Sequence, residues 1–147
     1  MSITQAMSTL FKKDVLLGDH HLDSDLIFIA LYTSSASLGA GTDAYTTTGE
    51  ITNASGSAYV AGGVALGTKS VIENGTSGCF DAADPEWTTA SFTANGALIY
   101  NKTLYTADNA RGAIAILYFG GDFTVAGGTF KIVFPAQTAS NAIIRID

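Results

Sequence analysis

The sequence predicts an all-β domain, an antiparallel β-sandwich with jelly-roll-like or Greek-key-like connections, preceded by one short N-terminal helix. Three observations lead to this prediction: short apolar segments recur after residue 63, turn residues separate them, and no second helical pattern of convincing length appears. The chain has 147 residues, of which 47% are hydrophobic and 14% are charged. This length and apolar content are typical of one domain with its own core.

The first predicted segment covers residues 1–25 and consists of the helix and a polar turn. Its apolar residues follow helical spacing and form one stripe: Ile3, Met7, Leu10, Phe11 and Val15. Ser2 and Gln5 have the spacing of a capping box, and Gly18 suits the end of the helix. The stripe packs either on its own domain or on a neighbouring subunit, and in the second case Leu10 and Phe11 are the expected interface residues.

Residues 26–147 form the predicted sandwich domain. Residues 26–33 are its strongest strand, and because this strand is apolar on both faces we expect it to be central. The other predicted strands are 64–72, 78–81, 86–93, 97–100, 113–119, 129–134 and 142–146. The turns predicted between them are Asn74-Gly75, Asn95-Gly96, Gly120-Gly121-Asp122 and Gly127-Gly128.

Residues 34–63 predict a long loop rich in Ser, Thr, Gly and Ala. A stretch of this length without regular patterning is unusual within a compact domain, and such loops are usually disordered or functional. Tyr45 and Ile51 are isolated large residues within it and are expected to act as anchoring points. We therefore expect an extended loop that lies over its own sheet or reaches a neighbouring subunit, with Tyr45 and Ile51 as interface residues.

Charge and composition argue against several partners. The net charge is −6, and the seven basic residues are scattered, with only Lys12 and Lys13 adjoining. A nucleic-acid partner is therefore not expected, because binding needs a basic surface to displace counterions from phosphate. Cys79 is the only cysteine, so no intramolecular disulfide can form. No apolar run reaches about 18 residues and no signal peptide is evident, so we expect synthesis in the cytoplasm and no membrane partner.

The two histidines lie together in the predicted turn. His20 and His21 are flanked by Asp19, Asp23 and Asp25. Imidazole and carboxylate groups are ligands of zinc and related ions, but adjacent residues in a turn seldom point at one ion. A solvated turn is the favoured interpretation, and a metal bound during assembly is the alternative.

The other candidate catalytic and ligand-binding residues lack convincing motifs. Asp81, Asp84 and Glu86 lack the ligand spacing of a calcium loop, Cys79 lies in an apolar strand, and Gly-x-Ser-x-Gly and phosphate-binding motifs are absent. Trp87 fits a core, an interface or a sugar-binding platform. The sequence therefore predicts no enzyme, no catalytic residue, no cofactor and no metal ion.

Several stretches together resemble a known family. The most distinctive is WTTASFTANGALIYN at residues 87–101, and the others are residues 29–38, 43–51, 61–66, 115–122, 128–135 and 142–146. From about residue 26 to its end, the chain is similar to a family of small virion proteins of tailed bacteriophages, of which the members with an assigned role tend to be capsid decoration (cement) proteins.

The resemblance implies a structural protein on the outer capsid surface, made in the host cytoplasm. Its implied partner is the major capsid protein, and its implied state is a homo-oligomer, a trimer at a three-fold position. Because fold does not determine role, a tail, baseplate or fibre component and a carbohydrate- or receptor-binding module remain the alternatives.

Overall fold

Two antiparallel sheets and one short helix make up the part of the chain that the structure, a computed structural model, describes, residues 1–105 and 110–147. The elements are β1 (Ala6–Met7), α1 (Thr9–Leu16), β2 (Ile27–Tyr32), β3 (Val64–Ala65), β4 (Ser70–Asn74), β5 (Ser77–Asp81), β6 (Glu86–Asn101), β7 (Ala113–Lys131) and β8 (Ile144–Ile146). The larger sheet has the order β1-β7-β6-β2-β3, and the smaller sheet has the order β4-β5-β8. The prediction of a β-rich antiparallel protein with a short N-terminal helix is confirmed.

Strand β2 lies inside the larger sheet, as its apolar sequence predicts. It pairs with β6 from Ile27, opposite Asn101, to Tyr32, opposite Gly96, and its other edge pairs with β3. Five of its six residues are buried, which is the expected consequence of a strand covered on both faces.

The predicted turn at Asn95-Gly96 is wrong, because β6 continues through it as one strand of 16 residues. Gly96 is required here for packing. A Cβ atom added at Gly96 would lie 2.5 Å from the carbonyl oxygen of Leu117 and 2.9 Å from Cδ1 of Ile3. The missing side chain therefore admits the side chain of Ile3 against the sheet.

The two predicted glycine turns between residues 119 and 129 are also wrong, because β7 runs through both as one strand of 19 residues. Its pairing with β6 is irregular at both places, and Gly120 and Gly127 have positive φ angles of 86° and 68°. Extra residues in one strand of an antiparallel pair form β-bulges, for which glycine is well suited. Glycine thus bends this strand without ending it.

The predicted strand 64–72 is two strands in different sheets, β3 and β4, and the prediction of a single element is wrong. The predicted turn at Asn74-Gly75 is confirmed: Asn74 pairs with Ser77 at the end of the β4–β5 hairpin, and Gly75 has a φ of 65°. The predicted strands at 78–81 and 142–146 correspond to β5 and to the shorter β8.

Helix α1 begins later than the capping-box prediction places it. Ser8 is its N-cap and accepts a hydrogen bond from the Phe11 amide. Ile3 forms a bridge with Leu38, and β1 pairs with β7, so residues 3–7 are extended and the predicted start at Ser2 is wrong. The end is as predicted, because Gly18 follows the helix with a φ of 78°.

One apolar core joins the two sheets and the helix. It includes Phe11 from α1, Ile29 from β2, Phe80 from β5, Trp87 from β6 and Ile144 from β8. Among the described residues, no helix is both long and apolar enough to cross a bilayer.

Replacing Gly96 with alanine is predicted to lower the free energy of unfolding by about 2–3 kcal/mol, because the added Cβ must displace backbone and the Ile3 side chain. The matched control is Gly78→Ala, another glycine within a strand, where an added Cβ meets no atom within 4 Å. Urea denaturation measures both. Equal stability changes for the two variants would contradict the packing role of Gly96.

Candidate functional site

The long segment of residues 34–63 lies against its own sheet; we call it the anchored loop. The amide of Thr33, at the end of β2, donates to the carbonyl of Gly49 over 2.9 Å, and the amide of Ile51 donates to the carbonyl of Leu31 over 3.0 Å. A further bridge joins Tyr32 to Glu50. The loop therefore returns along β2, and its course is determined by contacts with the sheet.

A buried carboxylate holds the loop in this position. Oε1 of Glu50 accepts hydrogen bonds from the hydroxyl of Tyr59 and the amide of Gly62, and Oε2 accepts one from the hydroxyl of Tyr45, each over 2.6 Å. The Tyr59 hydroxyl also accepts a hydrogen bond from the Leu31 amide over 3.0 Å. The Glu50 side chain thus connects three points of the loop to one another, and the Tyr59 hydroxyl connects them to β2.

Two sheet tyrosines complete this network. The hydroxyl of Tyr32, on β2, donates to the carbonyl of Thr46 over 2.7 Å, and the hydroxyl of Tyr100, on β6, donates to the carbonyl of Gly62 over 2.9 Å. Both tyrosines are almost completely buried. Their hydroxyl groups thus satisfy loop carbonyls that the sheet ladders do not reach.

The network raises the pKa of its tyrosines above their usual value of 10, so that they stay protonated well into the alkaline range. Burial raises the pKa of Tyr45 and Tyr59, and the hydrogen bonds to Glu50 raise it further. Burial also raises the pKa of Tyr32, and it raises that of Tyr100 to about 12, with the Glu50 charge acting in the same direction. These hydroxyl groups are therefore hydrogen-bond donors in a structural anchor and are poorly suited to act as bases.

The four residues predicted as interface contacts differ in how far they are buried within the chain itself. Phe11 and Ile51 belong to the core, with exposed fractions of 0% and 5%. Tyr45 is partly buried and stacks on Tyr100, with ring centroids 4.9 Å apart, and Leu10 is partly buried on α1. Of the four side chains, only those of Leu10 and Tyr45 offer area to another subunit, and their interface role stays a prediction.

Sequence reasoning missed Glu50, Tyr59 and Tyr100 as parts of this network. One signal was present: Asp43 and Glu50 are the only charged residues between positions 34 and 63. An isolated acidic residue in an otherwise uncharged, tyrosine-containing segment indicates a carboxylate with specific donors. The identity of those donors depends on tertiary contacts between distant positions.

The predicted histidine turn divides into a buried and an exposed histidine. His20 is buried beside Phe11, whose ring lies edge-on 4.8 Å from it, while His21 is exposed. Within residues 1–105 and 110–147, no group of three or more His, Cys, Asp or Glu side chains is arranged to hold a metal ion.

The tautomer of His20 follows from its neighbour Asn101. Oδ1 of Asn101 accepts from the amides of Thr103 and Leu104, so its Nδ2 group is the donor toward Asp25 and toward Nδ1 of His20, 3.2 Å away. Nδ1 of His20 is thus an acceptor, and the proton of the neutral ring is on Nε2. Nε2 is buried and has no hydrogen-bond partner in the described part of the chain.

Burial lowers the pKa of His20 below its usual 6.5. The negative charges of Asp14, Asp25 and Asp19 act in the opposite direction, and Arg111 adds to the lowering. Arg111 itself lies 2.6 Å from Asp19 and 3.4 Å from Asp14, which is almost completely buried. The histidine is therefore held in its neutral form at the edge of a charged cluster.

Asp84 and Cys79 have structural environments. Oδ1 of Asp84 accepts from the amide of Phe134 over 2.9 Å, and its Oδ2 lies 3.5 Å from Nζ of Lys131. Cys79 is buried, and its Sγ lies 3.6 Å from the carbonyl oxygen of Thr138. These contacts join the C-terminal segment to the sheets.

Some large apolar side chains are left in water. Leu16 and Leu17, at the end of α1, are 87% and 67% exposed, and Tyr118 and Phe123 on β7 are 43% and 53% exposed. Exposed apolar groups on a rigid support are typical of protein-binding surfaces when they occur together. Both positions are therefore candidate contact regions.

Comparison of the chain with protein-family models, with curated proteins and with solved structures found no match. Functional inference therefore depends on the residues themselves and on the resemblance noted in the sequence.

Replacing Glu50 with glutamine is predicted to lower the free energy of unfolding by about 2 kcal/mol, because hydrogen bonds to a carboxylate are stronger than those to an amide and the Nε2 group meets donors. Urea denaturation at pH 7 measures the change. Glu73→Gln, at an exposed position of β4, removes the same charge without this network and should leave stability within about 0.5 kcal/mol. Equal effects would contradict the anchoring role.

The stability of the protein is predicted to fall as the pH drops below about 6.5. Because the folded state lowers the pKa of His20, the unfolded chain binds more protons in this range, so the contribution of His20 is complete above pH 6.5 and lost as the pH falls through the lower folded value. Denaturation between pH 5 and 8 should show a smaller slope for His20→Gln than for the wild-type chain. An unchanged slope in this variant would refute the assignment.

Proposed function

We propose that this chain is a structural virion protein of a tailed bacteriophage, a capsid decoration (cement) protein that binds the outer capsid surface and bridges subunits of the major capsid protein. The observation that supports a protein-binding role is the pair of exposed leucines, Leu16 and Leu17, presented by a helix whose other side is fixed in the core through Phe11. The family resemblance of residues 26–147 supports the capsid as the binding partner.

The rigid interior favours a binding role. The Glu50 network fixes a long, nearly uncharged loop on the sheet, so the surface around it loses little conformational freedom on binding. Few charges also mean little desolvation cost when this surface meets another protein. Exposed leucines on such a support act as anchors that fill pockets of a partner.

The proposed mechanism is mechanical. Internal DNA pressure separates capsid subunits at their junctions, and a protein attached to two subunits must lose its own interfaces before they part. Interfaces of roughly 1,600 Å² give lasting attachment when a few anchors are well buried. Many copies in one lattice add to this by avidity. The net charge of −6 favours the outer surface over the DNA-filled interior.

The proposal extends to the fold. The larger and the smaller sheet share one core, which supports a sandwich arrangement, and we propose jelly-roll-like or Greek-key-like connections for it.

The proposal predicts that particles of the phage encoding this chain contain hundreds of copies of it. Quantitative mass spectrometry of purified virions, referenced to the major capsid protein, measures the number. Tens of copies would indicate a tail or fibre component, and complete absence would contradict a virion role.

The helix contact is tested on particles that lack the protein. Purified wild-type chain should rebind them, and the Leu16→Ser/Leu17→Ser variant should bind about tenfold more weakly or worse. Val71→Ser, at an exposed apolar position of β4, is the control and should rebind normally. Normal rebinding by the double variant would remove α1 from the proposed interface.

A further inference from the structure

The outer edge of β7 is open over most of its length. Strand β6 pairs along one edge of β7, whereas β1 pairs with the other edge only at Ala115 and Ile116. From Leu117 to Lys131, no strand and no backbone hydrogen bond from another described segment covers this edge. Phe119 packs against Phe130, with ring centroids 6.1 Å apart, whereas the outward amide and carbonyl groups of residues 123–126 are available for pairing.

Strands β6 and β7 together form a ribbon, and its two outer edges have different surroundings. On the β6 side, the anchored loop reaches the strand, and the amide of Ser91 donates to the carbonyl of Ser57 over 3.2 Å. On the β7 side, residues 117–131 contain no proline and only two charged residues, Asp122 and Lys131. The carboxylate of Asp122 already accepts from Nδ2 of Asn95, over 2.7 Å. The usual protection of an edge strand by lysine or proline is thus missing from its central part.

Glycine bulges limit the part that can pair regularly. The register with β6 is uninterrupted from Phe123, opposite Ala94, to Ala126, opposite Ser91, and it shifts on both sides of this stretch. Thr124 is exposed at its centre, and Phe123 is more than half exposed. Another β-strand has amide and carbonyl groups at the spacing needed to pair with the backbone of this stretch.

We propose that this edge, centred on Thr124, pairs antiparallel with the same edge of a second copy of the chain. With the two-fold axis at Thr124, Phe123 lies opposite Val125 of the second copy, and symmetry produces this pair twice. Aromatic and β-branched residues are favourable cross-strand partners, and alternate residues keep both pairs on the same face of the joined sheet. A two-fold contact is self-complementary and closes without further growth.

The charges permit this pairing. Each Asp122 lies opposite Ala126 of the second copy, so the two carboxylates are about 13 Å apart along the strands, given about 3.3 Å per residue. This exceeds the screening length of about 8 Å at physiological ionic strength. A dimer also differs from the trimer that the family resemblance implies, so the mass in solution separates the two.

Sedimentation equilibrium of the purified chain should give the mass of a dimer. Thr124→Lys places two like charges opposite each other at the axis and should raise the dimer dissociation constant by about tenfold or more. The control is Thr88→Lys, which adds the same charge at an exposed position of β6 and should leave the dimer intact. Circular dichroism shows whether both variants are folded.

A second variant tests the register itself. Directly opposite residues have Cα atoms roughly 4.5–5.5 Å apart, which is within the range of a disulfide, so Thr124→Cys should form a cross-linked dimer on mild oxidation. Cys79 is buried and should not contribute, and Thr88→Cys is the control. A wild-type monomer or trimer, a dimer unaffected by Thr124→Lys, or failure of Thr124→Cys to cross-link would each overturn the proposal. If the chain is a monomer, the partner of the open edge would be a strand from another protein.

Discussion

The Glu50 carboxylate and its three donors are the interaction on which the rest of the structure depends. Tyr45, Tyr59 and Gly62 all donate to this one side chain. A buried carboxylate is strongly destabilising unless hydrogen bonds replace its hydration, so its presence requires these donors to stay in place. Because they lie at separate points of residues 34–63, satisfying Glu50 also determines the course of the loop.

The fixed position of the loop explains which strand edge is covered and which is open. The fixed loop covers the neighbouring edge of β6 near Ser91, while β7 keeps an open edge beyond Ile116. The end of α1 leaves two leucines in water, although Phe11 on the same helix is in the core. A rigid body with local apolar positions is suited to binding other protein surfaces without changing its own conformation.

The sequence pattern predicted correctly those elements whose structure depends on neighbouring residues. The apolar run at residues 26–33 contains the buried strand β2, and Asn74-Gly75 forms a tight turn between paired strands. Gly96 and Gly120 were misinterpreted because the residues that favour turns also favour bulges and close packing. The apolar stripe that begins at Ile3 has helical spacing. The chain at Ile3 is nevertheless extended, because it pairs with Leu38, which is 35 positions away.

The network around Glu50 was beyond local patterning for the same reason. Its charge and isolation were visible, but the pairing with Tyr59 and Gly62 depends on how the loop returns to β2. Likewise, an open strand edge is a property of the sheet order and has no sequence signature of its own.

Hydrogen–deuterium exchange of the wild-type chain tests the central claim most directly. If Glu50 fixes the loop, the amides of Ile51 and Gly62 should exchange as slowly as those within β2 and β6, because both donate to buried acceptors. Exchange of Ile51 and Gly62 at the rate of an unstructured peptide would show that the loop is not anchored, and the account would be wrong.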